Sequence, residues 1–165
     1  MGLLIVRSDM RGHAIFGSAL VLLPAAIGTL PQESAPLDSA ALRAMIVGLG
    51  FEVKDLSTEV GKEKYELVVV SGGYNVPIGA ELSPSRSYIW FTASLGQVNE
   101  KTKWEQLLRA NGKIQPTQFY VTSSNFLMIG LTVENHGVTP VWLKKSIDKV
   151  ASDTASQAAA WRSDN

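Results

Sequence analysis

Two histidines, fifteen carboxylates and no cysteine make up most of the stock from which metal or nucleophile chemistry could be built in this 165-residue chain. The missing cysteine excludes disulfides, thiolate metal sites and cysteine nucleophiles. His13 falls in the N-terminal segment, so a histidine-based centre in the domain depends on His136, within Glu134-Asn135-His136-Gly137. Glu134 and His136 could contribute to a zinc site. A catalytic zinc takes three protein ligands, however, and no third stands at useful spacing, so His136 is expected as a polar turn residue.

Ser71-Gly72-Gly73 follows an apolar run, where glycines could let backbone amides approach a phosphate. The G-x-x-x-x-G-K-S/T pattern is absent, and Asn75, Pro77 and Gly79 follow where a helix should begin, so a hairpin is expected. Glu59, Glu63, Glu66 and Glu81 read as solvated charges, since the paired carboxylates of glycoside chemistry are defined by a separation in space. Lys144, Lys145 and Lys149 read as a solvent-facing stripe offset by Asp148. No catalytic residue, metal ligand or cofactor is expected. One enzymatic alternative stands beside this, a small envelope hydrolase or sugar-active enzyme built on residues 71–87. That stretch holds three glycines, two prolines and four serines and is expected to be a long loop.

Fifteen basic side chains balance fifteen acidic ones, which leaves no electrostatic footprint for nucleic acid. At the start, Arg7 and Arg11 precede the apolar run 14–23, which Pro24 breaks, and small residues stand at Ala26 and Gly28. That order of parts predicts a signal peptide over 1–28, with Thr29 first in the mature chain and a periplasmic or secreted destination. The apolar run is shorter than the roughly 20 residues a membrane span requires, so no stable span is expected in the mature chain. Residues 29–37 read as a flexible lead-in, and 38–165 as one domain.

In that domain Asp38 or Ser39 caps a helix whose Leu42, Met45, Ile46 and Leu49 share a face, and Gly50 ends it. Residues 51–56 and 65–70 read as strands, 88–95 as a third, and 102–110 as a helix with Trp104, Leu107 and Leu108 inward. Residues 119–122 and 126–133 form a hairpin through Ser123, Ser124 and Asn125. Thr139 caps a last helix, with Pro140 at its first turn, an apolar stripe of Trp142, Leu143, Ile147 and Val150, and a continuation towards Trp161. The expected fold is α+β: an antiparallel sheet of about five strands with three helices on one face, in the order α-β-β-β-α-β-β-α.

Strand alternation then assigns faces. With Ile89, Phe91, Ala93 and Leu95 inward, Tyr88 and Trp90 point out; with Leu127, Ile129, Leu131 and Val133 inward, Phe126 and Met128 point out; Tyr120 joins them if Phe119 and Val121 are core. These five residues, Tyr88, Trp90, Tyr120, Phe126 and Met128, are the candidate partner-binding surface, with 71–87 as a flap. The partner is a protein or peptide segment or a second copy of the chain, and the same residues could instead fill a small core beneath 71–87.

The order of elements, LLRANG at 107–112, FYVTSSNFLMIGLTV at 119–133 and TPVWLKKSIDKV at 139–150 resemble the YbjN family. That family shares the type III secretion chaperone-like fold. The resemblance spans about residues 38–161 and implies a small, often dimeric, non-catalytic bacterial domain that holds protein segments in a regulatory or chaperone-like role. The family's members are commonly cytoplasmic, whereas this chain opens on an export-like segment.

Overall fold

The computed structural model describes residues 35–162, so the predicted signal peptide and most of the lead-in lie outside the described residues. The elements are α1 (Ser39–Gly48), β1 (Lys54–Ser57), β2 (Lys64–Ser71), β3 (Tyr74–Leu82), β4 (Tyr88–Gln97), α2 (Trp104–Asn111), β5 (Gln118–Val121), β6 (Phe126–Glu134), α3 (Pro140–Ser156) and α4 (Ala158–Trp161). All six strands join one antiparallel sheet in the order β1-β2-β3-β4-β6-β5. The α+β class is as the sequence predicts. The extra strand, β3, comes from the stretch expected to be a loop.

The correction has a backbone explanation. Gly72 and Gly73 carry φ of 54° and 81° and form the two-residue turn between the paired Ser71 and Tyr74, a conformation that matches the twist of hairpin strands. Counting alternate rungs from that closing pair turns the nitrogen of Pro77 away from β2, towards β4. Strand β4 pairs with β3 only over Gly79–Leu82, so no ladder bond is asked of the proline. Residues 71–82 therefore belong to a hairpin built into the sheet and 83–87 form the turn into β4, in place of the long loop and flap expected from composition.

Helix α1 starts where the Asp38 carboxylate accepts the Ala41 N–H at 2.7 Å, and it stops at Gly50, whose φ of 88° suits the left-handed position after a helix. The Thr139 hydroxyl accepts the Trp142 N–H at 3.2 Å and opens α3, with Pro140 in the first turn. Leu143, Ile147, Val150 and Ala151 recur at helical spacing and are fully buried, which lays α3 across β2, β3, β4 and β6. Leu42 and Ile46 of α1 complete this layer with Leu67, Ile78, Ile89, Phe91 and Ile129 of the sheet. The helix ends at Ser156, and the continuation towards Trp161 is the separate turn α4.

Four inward assignments need correction. Trp104 is 49% exposed and Leu108 72% exposed, because α2 buries the line Leu107 and Ala110, continued by Ile114. Trp142 is half-exposed, one residue off the stripe that α3 turns to the sheet, and Val121 is also part-exposed at the edge strand. Trp104→Ala should accordingly lower stability by no more than about 1 kcal/mol, as for other solvated positions. A thermal shift typical of a core truncation would show that Trp104 is packed.

Candidate functional site

With Tyr65, Leu67, Val76, Ile78, Ala80, Ile89, Phe91, Ala93, Leu127, Ile129, Leu131 and Val133 turned to the helices, alternation sends their neighbours to the opposite face. No helix of the described residues covers that face. Register orders it into rows across the strands. Lys64, Glu81, Trp90 and Thr132 form one row; Glu66, Gly79, Thr92, Gly130 and Gln118 the next; Met128 pairs with Tyr120 in the row beyond.

The glycine row makes the face concave. A Cβ at Gly130 would lie 3.1 Å from Cε1 of Tyr120, so the ring lies down over this glycine. A Cβ at Gly79 would lie 3.1 Å from Cε of Lys64, so the lysine stem occupies the corresponding space there. Between these two side chains a depression of about 480 Å³ opens over Thr92 and Gly130, walled by Trp90 and Thr132 on one side and by Met128 and Tyr120 on the other. Its β2–β3 end is closed by the ion pair of Lys64 Nζ with Glu81 Oε1 at 3.0 Å. Burial, with a smaller contribution from the Glu81 charge, pushes the Tyr120 phenol above its usual range, so it stays a neutral hydroxyl at physiological pH.

All five candidate residues lie on this face, but only Trp90, Tyr120 and Met128 meet in the depression. Tyr88 pairs with Glu134 and Phe126 with Gln97, at opposite ends of the β4–β6 ladder. Eight residues of β6 separate those rungs, roughly 26 Å at strand rise. Alternation was right about direction and silent about position along the strands. It also missed Val68 and Val70, 53% and 74% exposed on the same face, because the run 68–70 reads as uniformly apolar.

The residues weighed for chemistry are dispersed. Glu134 and His136 are exposed, and among the described residues no group of three His, Asp or Glu side chains is placed to hold a metal ion. Glu63 accepts from Ser39 Oγ at 3.1 Å and from the Gly61 N–H at 2.9 Å; hydrogen bonding, led by its own backbone N–H, holds its carboxyl below the ordinary range. Lys144 pairs with Asp148 at 2.6 Å in the solvated stripe expected for it. Lys149 does not belong to that stripe, since its ammonium turns in to Asp153 at 2.5 Å and to the Ile114 carbonyl at 3.0 Å.

Two asparagines carry more of the architecture than their turn-like contexts suggest. Asn135 is buried beside the exposed His136. Its Oδ1 accepts the Leu37 N–H at 3.0 Å, and its Nδ2 donates to the carbonyls of Leu37 and Arg86, both at 2.8 Å. Asn111, at the end of α2, accepts the Phe119 N–H at 2.7 Å and donates to the Phe119 carbonyl at 3.2 Å. Each amide thus pairs with both backbone groups of one residue, as a neighbouring peptide would. Neither partner is visible in the sequence.

The chain matches no protein-family model and no curated protein sequence. Among the described residues no helix is long and apolar enough to cross a membrane.

Proposed function

We propose that this is an exported, non-catalytic binding domain that takes a protein segment on its open sheet face, in a chaperone-like or regulatory role of the kind the YbjN resemblance implies. The observation that supports it is the depression in which Trp90, Tyr120 and Met128 meet, floored by glycine and threonine and closed at one end by the Lys64–Glu81 pair. Its rims are single side chains on a sheet, so an occupant would keep part of its surface in solvent. That suits a side chain projecting from a docked segment better than a small molecule, which pockets usually enclose by 70–90% or more. Aromatic walls suit the role because they give large contact area with few rotatable bonds. The enzymatic alternative depended on a long loop at 71–87, and most of that stretch is strand β3.

Peptides selected from a random library on the purified domain should carry an apolar anchor. Trp90→Ala should weaken their binding by about 2 kcal/mol, the range of an interface hot spot, while the melting temperature stays nearly unchanged. Equal binding by the variant would sink the proposal, as would unfolding of the variant. If Trp90→Ala instead dissociates a dimer in sedimentation, the segment taken belongs to a second copy.

A further inference from the structure

Strand β5 is an edge of the sheet, and its ladder to β6 runs Gln118↔Gly130, Phe119↔Ile129, Tyr120↔Met128 and Val121↔Leu127. The Thr122 N–H donates to the Phe126 carbonyl at 2.9 Å, so Thr122, Tyr120 and Gln118 present their backbone groups to β6. By alternation Phe119 and Val121 present theirs to the free edge. An unguarded row of this kind is a template for pairing with another chain. At Phe119 the position is already filled, because the Asn111 amide holds both the N–H and the carbonyl.

We infer that Asn111 is an edge guard: its side chain stands in for one rung of a seventh strand and keeps β5 closed to antiparallel pairing with β5 of a second copy. The guarded segment needs it. Phe119 and Leu127 are core residues, while Tyr120 and Val121 are part-exposed, so two β5 edges brought together would align apolar side chains on both faces of a continuous sheet. Residues 118–121 carry no charge to oppose this. The terminal strand on the opposite side of the sheet, β1, has a register shift and carries Lys54 and Asp55, the latter paired with Arg43 at 2.8 Å. One edge is defended by charge and an irregular register, the other by an asparagine. The inference concerns a different surface from the open face and stands whether or not Trp90 binds a partner.

The test begins with the unmodified protein: hydrogen exchange followed by NMR should show the Phe119 amide protected relative to that of Val121, although both face the edge. In Asn111→Ala the Phe119 amide should exchange about tenfold faster or more at low protein concentration, as a lost bond allows. The variant should also associate in sedimentation at concentrations where the parent does not, and it should bind a synthetic peptide of residues 117–122 that the parent ignores. Adding Val121→Pro, which removes an outward donor and no bond to β6, should reverse the association. If Asn111→Ala does not fold, Asn111→Ser takes its place, since its shorter, uncharged side chain does not reach both backbone groups of Phe119; it too should bind the peptide. The inference fails if Phe119 and Val121 exchange alike in the parent, if the folded variant neither associates nor takes the peptide, or if association survives Val121→Pro.

Discussion

Asn135→Ala should destabilise the domain by about 3 kcal/mol, an effect expected from three hydrogen bonds of roughly 1 kcal/mol net each with their backbone partners left in place. The side chain is 1% exposed and joins three segments that share no ladder: the approach to α1 through Leu37, the β3–β4 connection through Arg86, and its own turn between β6 and α3. Alanine removes the acceptor of the Leu37 N–H and the donors to two carbonyls, and it leaves a small void. Leu37 is half-buried and Arg86 exposed, so water can repair part of the loss, which keeps the figure below three full penalties for buried orphans. Arg86 also holds a φ of 57°, unusual outside glycine, and its carbonyl is one that Asn135 fixes. Asn135→Asp should be at least as damaging despite its matching shape, because carboxylate oxygens would face the Leu37 and Arg86 carbonyls where an NH₂ now donates. Chemical unfolding of both variants measures this, and a loss below about 1 kcal/mol in each would show that the network is solvated and replaceable.

What the sequence revealed follows the range of the interactions involved. Helix starts at Asp38 and Thr139 were readable because a cap and its amides lie within three residues, and the faces of β4 and β6 because alternation is local. Strand β3 was not, since Pro77 and Gly79 argue for a loop until the neighbours are known. Pro77 is tolerated because its nitrogen faces a gap between β3 and β4, and Gly79 lies beneath the Lys64 stem. The depression was half-readable for a related reason: side-chain parity put Trp90, Tyr120 and Met128 on one face, but only strand order and register separate them from Tyr88 and Phe126. Trp104 misled because its helical spacing from Leu107 is right while the buried line of α2 runs from Leu107 to Ala110. Asn111 and Asn135 were readable only as turn formers, since their partners stand 8 and 98 residues away.

Asp153→Ala is the second large loss expected, about 3 kcal/mol, and it tests the link between the helical layer and the edge strand. Asp153 is 8% exposed on α3 and accepts from Lys149 Nζ at 2.5 Å and from the hydroxyl of the fully buried Thr117. Lys149 also donates to the Ile114 carbonyl at 3.0 Å, so the three side chains tie α3 to the segment that carries the chain from α2 into β5. Alanine would leave the ammonium short of its counter-charge, where breaking a fully buried pair costs about 3–5 kcal/mol. The lower end applies here because Lys149 is about a third exposed and keeps Ile114, and Thr117 can turn its single O–H to the Ile114 carbonyl, 2.7 Å away. The loss should therefore be smaller in Asp153→Ala combined with Lys149→Met, which removes the orphaned charge, than in Asp153→Ala alone. A combined variant that is less stable than the single one would show that Lys149 contributes chiefly through Ile114. Because the network sits one residue before β5, hydrogen exchange in Asp153→Ala should rise first over residues 114–121, the stretch that holds Phe119 against Asn111 and lays Tyr120 across Gly130. Exchange rising uniformly across the sheet would instead mean that β5 unfolds only with the whole domain, and that the rim of the depression is no softer than its core.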